Sequence, residues 1–256
     1  MDKPHILILG GTTEARALAE RLAGRSDLDV TLSLAGRTAE PRPLPVRTRV
    51  GGFGGVDGLV SYIENERIDL LIDATHPFAN RISANAAAAS ARSGVCHFIL
   101  CRPGWSRLEG DRWTITGSVE EAVDALGVAP RRVFLAIGRQ EAARFSAAPQ
   151  HSYLVRSVDP VDPPLTVPDC RYILACGPFD PADEEALLSR ERIDVVVTKD
   201  SGGSATYGKI AAARALGLEV IMIGRQPPPG VQTVADAEAA LALIDHAFPP
   251  SWKRGV

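Results

Sequence analysis

The chain has 256 residues, a formal net charge of -3 and a pI near 6.0, a length that accommodates one large domain or two modest ones, of which two is the expectation. Aromatic residues are 5% of the chain, positive charge is not in excess, and no apolar run approaches the length of a membrane span. These features exclude a bulk basis for nucleic-acid or membrane partners, so a soluble, cytoplasmic chain is expected, with its oligomeric state open and a monomer compatible.

In chain order the pattern predicts a strand over 5–10 (HILILG), a turn into a helix over 11–24, and a strand over 29–36 (DVTLSLAG). A Pro-rich connection over 38–46 precedes a short strand ending in glycines (RTRVGGFGG, 47–55) and a helix over 56–67. A strand over 68–74 (IDLLIDA), an alanine-rich helix over 80–94 and a strand over 95–103 follow. The later part repeats the alternation. It has helix 118–127, strand 132–138, helix 139–145, strand 151–158, a Pro-rich loop 159–169, strand 171–177, helix 181–192, strand 193–199, helix 204–217, strand 218–224 and helix 236–248. The tail over 249–256 carries prolines and no periodicity. Strands apolar throughout, alternating with helices, argue for parallel sheets covered on both faces.

The two parts share a register. Gly11 with Glu14-Ala15 recurs as Gly138 with Glu141-Ala142, and Gly51-x-Phe53 as Gly177-x-Phe179. Asp57 recurs as Asp183, the phrase Glu66 to Asp69 (ERID) as Glu191 to Asp194, and Arg102 as Arg225. Both Pro-rich connections also fall between the second and third strands of their parts. Ordered matches in equivalent slots point to internal duplication. The fold class expected is α/β, with two Rossmann-like parallel-sheet domains facing each other across a cleft. Residues 1–116 are the expected NADP-binding domain and 117–256 the expected substrate-binding domain.

Ligands of open α/β sheets gather at the carboxyl ends of the strands. After the first strand, Gly10, Gly11, Thr12, Thr13 and Glu14 lead into a helix, where free N–H groups and hydroxyls suit a phosphate. The third glycine of G-x-G-x-x-G is missing, so a tight turn binding nothing stays open beside the dinucleotide reading. After the second strand, Ser33, Gly36, Arg37 and Thr38 stand where an NAD site usually has an acid. An arginine with hydroxyls fits a 2′-phosphate and favours NADPH, although a solvated surface arginine explains Arg37 as well. Gly52 belongs to a glycine loop that lets a ligand come close, and Asp73, Ala74, Thr75 and His76 end the fourth strand, near a nicotinamide. His76 is a candidate proton donor or substrate contact, or else a helix cap.

In the later part the corresponding loops supply Arg139, Lys199, Ser201, Gly202, Ser204 and Arg225, with Lys209 on the next helix. These suit carboxylates or phosphates, while salt bridges within the loops are the plain alternative. Lys199 precedes the glycines and no G-K-[ST] follows, so this is no P-loop. Cys96, Cys101, Cys170 and Cys176 have no C-x-x-C spacing and are expected to be buried free thiols, with no metal.

The ordered set ILGGTTEA, GGFGG, DATHPFA, CRPGW, CGPF and VTKDSGGSATYGKIAAA, spread over nearly the full length, resembles the precorrin-6A reductases of cobalamin biosynthesis. The resemblance implies NADPH-dependent reduction of one double bond of the precorrin-6A macrocycle to give precorrin-6B, by hydride transfer and protonation of the neighbouring carbon. It assigns Gly10 to Glu14, Arg37, Thr38 and Asp73 to Thr75 to the cofactor. It assigns His76, Arg102, Arg139, Lys199, Ser201 and Lys209 to the tetrapyrrole substrate and its acidic side chains. Two rival readings remain at this point. One is an NADPH reductase of a smaller substrate, similar to dihydrodipicolinate reductases, and the other is a non-catalytic dinucleotide sensor.

Overall fold

A computed structural model describes residues 3–36 and 44–250. Its elements begin with strand β1 (His5–Leu9), helix α1 (Thr13–Leu22), β2 (Asp29–Leu34), β3 (Arg47–Val50), α2 (Val56–Asn65), β4 (Leu70–Asp73), α3 (Asn80–Ser93) and β5 (Cys96–Leu100). There follow β6 (Arg112–Thr116), α4 (Val119–Ala125), β7 (Arg132–Ala136), α5 (Arg139–Ala142) with a 3-10 turn over Ala143–Ala147, and β8 (Ser152–Ser157). The remainder comprises β9 (Cys170–Leu174), α6 (Pro181–Arg190), β10 (Val195–Lys199), α7 (Gly208–Ala215), β11 (Glu219–Ile223), β12 (Thr233–Val234) and α8 (Ala237–Ala247). No described helix is long and apolar enough to cross a membrane.

The shared phrase Glu-Arg-Ile-Asp folds identically in both places. Arg67 and Arg192 take positive φ of 51° and 52° just past the ends of α2 and α6. Ile68 N donates to Ile63 O at 2.9 Å and Arg67 N to Glu64 O at 3.2 Å; Ile193 N donates to Leu188 O and Arg192 N to Ser189 O, each at 3.0 Å. This is the Schellman ending, and Ile68 and Ile193 supply its apolar contact by packing in the same core clusters as Ile63 and Leu188. The aspartate then fixes the entry to the sheet. Asp69 Oδ2 accepts from His5 N at 2.8 Å, and Asp194 Oδ2 from Arg132 N at 2.7 Å, tying each helix exit to the first residue of β1 or β7.

The chain divides into one unit of Met1–Pro103 with Pro227–Val256 and another of Gly104–Gln226. The first holds a parallel sheet in the order β12-β5-β4-β1-β2-β3, and the second one in the order β6-β11-β10-β7-β8-β9. The expected single boundary between 116 and 117 differs from this division. β6 pairs with β11, from Arg112 beside Glu219 to Thr116 beside Ile223, whereas β12 pairs with β5. Each half thus places its sixth strand, and the helix after it, on the other half's sheet: α4 packs on β6 and β11, and α8 on α1. Neither β6 nor β12 is among the expected strands. β6 is mostly exposed and β12 has only two residues, so neither carries the apolar run that marks the central strands.

In the first unit, Ile6, Ile8, Leu32, Ile72 and Phe98 pack beneath α1 and α8. Leu7, Leu9 and Leu71 point to the opposite face, against Leu59 and Ile63 of α2 and Ala86 and Ala89 of α3. In the second unit, Phe134, Leu154, Val196 and Val220 pack with Leu188 of α6 and Ile210 of α7. Both faces of each central strand are covered, which is why those strands are apolar throughout. The four cysteines are free, but Cys96 and Cys176 are exposed, correcting the expectation of buried thiols. Cys96 begins β5, next to the edge of its sheet, and Cys176 follows the edge strand β9.

Candidate active site

At the carboxyl edge of the first sheet, register aligns Arg49, Ser33, Leu9, Asp73 and Ile99 in one row. Between β1 and α1, Gly11 has a φ of +123°, and no atom lies within 4 Å of where its Cβ would be. Gly10 is the packed partner, since a Cβ there would sit 2.6 Å from Leu32 Cδ1. Thr12 is the N-cap of α1. Its Oγ1 accepts from Ala15 N at 3.1 Å and donates to Ala74 O at 2.8 Å, fastening the first loop to the loop after β4. Thr13 and Glu14 form the first turn, whose N–H groups have no acceptor within the helix. Glu14 accepts from Arg102 Nη1 at 2.6 Å, so an expected cofactor contact and an expected substrate contact form an ion pair.

Asp73 is 1% exposed. Its Oδ1 accepts from Thr75 N at 3.0 Å and from Thr75 Oγ1 at 2.7 Å, so it acts by orienting Thr75. Asp73 Oδ2 and both ring nitrogens of His97 are buried with no hydrogen-bond partner among the described residues. Burial pushes the His97 imidazole below the ordinary histidine range, against the opposing pull of the Asp73 charge. His76 lies in the turn before α3; its carbonyl accepts from Ala79 N at 2.7 Å, and Phe78 N approaches its Nδ1 at 3.3 Å.

Beyond β3, the loop over 51–55 leaves open space where Cβ atoms at Gly51, Gly52, Gly54 and Gly55 would be. The loop leans on α2 through one glycine: a Cβ at Gly58 would lie 1.7 Å from the Phe53 carbonyl oxygen. Arg49, absent from the sequence-based candidates, organises this corner. Its Nη1 donates to Ser33 Oγ at 2.7 Å and Gly51 O at 3.0 Å, and its Nη2 to Gly52 O at 3.1 Å. Ser33 and Gly52, named separately from the sequence, are therefore joined by one guanidinium. Arg37 and Thr38 lie outside the described residues.

In the second unit Arg139 is the first residue of α5, and its Nη1 lies 3.6 Å from Asp159 Oδ2. Lys199 ends β10 and donates to both oxygens of Glu141 at 2.5 Å. The loop beyond it is held by Asp200, whose Oδ1 accepts from Trp105 N at 2.9 Å and whose carbonyl accepts from Arg225 Nε at 2.7 Å. Ser201 Oγ lies 3.3 Å from Thr206 Oγ1, and Gly202 takes a φ of +63°.

Lys209 is more deeply buried than these half-buried cations. It is 3% exposed, donates to Thr206 O at 2.7 Å and lies 4.9 Å from the centre of the Trp105 ring. Nearby, Arg156 and Glu184 form a two-bond ion pair, 6% and 4% exposed, with the guanidinium 3.7 Å over Phe179. Burial pushes Lys209 down to about 7, helped by the Arg156 charge and opposed by Glu184. The candidate substrate cation is thus an interior residue beneath the loop. No sequence signal separates it from a surface lysine, because its alanine-rich helix carries Lys209 and Arg214 among small apolar residues that mark no distinct solvent face.

The family description "Precorrin-6x reductase CbiJ/CobK" matches residues 5–245. A precorrin-6A reductase of Sinorhizobium sp. is 63% identical over 251 residues, covering 98% of this chain and 96% of that protein. The precorrin-6A reductase of Rhodobacter capsulatus is 48% identical, covering 98% of this chain and 99% of that protein. A solved structure of CobK precorrin-6A reductase superposes with a TM-score of 0.90 at 48% identity, covering 99% of this chain and all of that one. With near-complete coverage in sequence and in fold, the chain belongs to the precorrin-6x reductase family and is an oxidoreductase.

Proposed function

We propose that the protein reduces one carbon–carbon double bond of precorrin-6A to give precorrin-6B in cobalamin biosynthesis, with NADPH as the reductant. The full-length similarity to precorrin-6A reductases carries this reading. The first unit fits the cofactor on its own geometry. Gly11 and the glycines over 51–55 leave backbone uncovered, and the first turn of α1 presents unshared N–H groups, the combination that admits a diphosphate. When bound, the nicotinamide supplies the hydride. Thr12 holds the first and fourth loops together, and Asp73 fixes the direction of the Thr75 hydroxyl. Arg139, Lys199 and the loop over 198–204 supply cations for the acidic side chains of the macrocycle, while His76 is the candidate proton donor or substrate contact.

The test is NADPH oxidation followed in the presence of precorrin-6A. Oxidation dependent on the macrocycle is expected. NADPH binding without such oxidation would reject the reading in favour of a non-catalytic sensor, and oxidation only with a smaller unsaturated acid would favour the other rival.

A further inference from the structure

We propose that Arg49 reads the 2′-phosphate of the cofactor and so sets the preference for NADPH over NADH; this inference rests on the first unit being the dinucleotide site. Arg49 is the penultimate residue of β3, in register with Ser33, the penultimate residue of β2. In a parallel α/β sheet these strand ends face the adenosine ribose when the diphosphate sits at the loop after β1. Arg49 is half-buried, and among the described residues its bonds run to neutral oxygens, those of Ser33, Gly51 and Gly52.

No carboxylate pairs with Arg49 among the described residues, unlike Arg47, which pairs with Glu66, and Arg102, which pairs with Glu14. A half-covered positive charge without a counter-charge is an unfavourable arrangement unless an anion completes it. Two of its five N–H groups remain unused by described residues: Nε–H and one hydrogen of Nη2. Both are donors from which phosphate oxygens can accept.

The aromatic neighbours fix the fork. The Arg49 Cζ lies 3.9 Å from the centre of the Phe53 ring and 5.1 Å from that of Tyr62, and the two rings meet edge to face at 5.2 Å. The guanidinium plane is therefore set before any ligand arrives, which limits the entropy lost on binding. Arg49 also pins the glycine loop, so loss of the pin must be separated from loss of phosphate recognition.

Binding of NADPH, NADH, 2′,5′-ADP and 5′-AMP to the full chain, as parent, Arg49→Met and Arg49→Lys, makes that separation. Arg49→Met is expected to weaken NADPH and 2′,5′-ADP by about 10- to 100-fold, the scale of one or two charge-assisted bonds, with NADH and 5′-AMP changed less than about threefold. Arg49→Lys keeps the charge without the fork and falls between. The ratio of the two affinities in one sample does not depend on its folded fraction, so a destabilised variant still reports. Equal weakening of phosphorylated and unphosphorylated ligands would reduce Arg49 to a loop pin and overturn the proposal, as would no change in either. A parent protein that binds neither nucleotide, or does not discriminate between them, would instead overturn the cofactor reading itself and this inference with it.

Discussion

Replacing Lys209 by Met tests whether the buried amine is held near neutrality. The side chain is 3% exposed, and burial pushes its amine down to about 7 from the ordinary lysine value of 10.5. A base whose folded value lies below its unfolded value binds its proton more weakly when folded, so stability falls as pH drops from the unfolded value toward the folded one. Applying linkage to those two values, keeping Lys209 costs roughly 4 kcal/mol near pH 7 and about 1 kcal/mol near pH 9.5. Met fills similar volume, and the variant loses the bond to Thr206 O, which is worth about 1–2 kcal/mol when the carbonyl is left unpaired. Lys209→Met is therefore expected to be about 2–3 kcal/mol more stable than the parent near pH 7 and within about 1 kcal/mol of it near pH 9.5. Trp105 and Trp113 belong to the second unit and Trp252 does not, so urea unfolding followed by tryptophan fluorescence in a Trp252→Phe background reports the unit that contains Lys209. A stability difference that stays constant across the two pH values would refute the assignment.

Glu184→Gln leaves Arg156 buried without its counter-charge and is expected to destabilise the second unit by about 3–5 kcal/mol in the same assay. Arg156→Met is expected to do less harm, because Glu184 then faces the nearby Lys209 with no competing cation. Gly58→Ala drives a methyl group into the Phe53 carbonyl and should displace the loop over 51–55, weakening NADPH about 10-fold or more in calorimetric titration. Unchanged affinity would mean that this loop does not contribute to the cofactor site. Thr12→Val removes both the α1 cap and the bond to Ala74 O, an expected loss of about 1–2 kcal/mol seen as faster amide exchange in α1, with Thr12→Ser restoring protection.

Much of the site was legible because its parts are local. Gly11, Thr12 and Glu14 follow from the requirements of a strand-to-helix turn, and the glycine loop after β3 follows from five residues. The roles within that set were not legible. Thr12 spends its hydroxyl on Ala15 and Ala74, and Asp73 serves Thr75, because hydrogen bonds between loops far apart in sequence consume groups that look free in a string of letters. Arg49 escaped notice because its meaning depends on Ser33 lying beside it in the sheet and on two rings around it. The burial of Lys209 was not legible for a related reason, since part of its surroundings, the Trp105 ring, precedes it by over a hundred residues.

By itself the sequence determined the strand–helix alternation, the duplication and the family. Those rest on periodicity and on short phrases such as Glu-Arg-Ile-Asp, whose capping geometry is completed within a few residues of each helix end. Only the tertiary structure decided which sheet received the two outermost strands. β6 and β12 carry little apolar information of their own, so their placement follows from which open edge, β11 or β5, offers unpaired backbone groups within reach of the connecting chain.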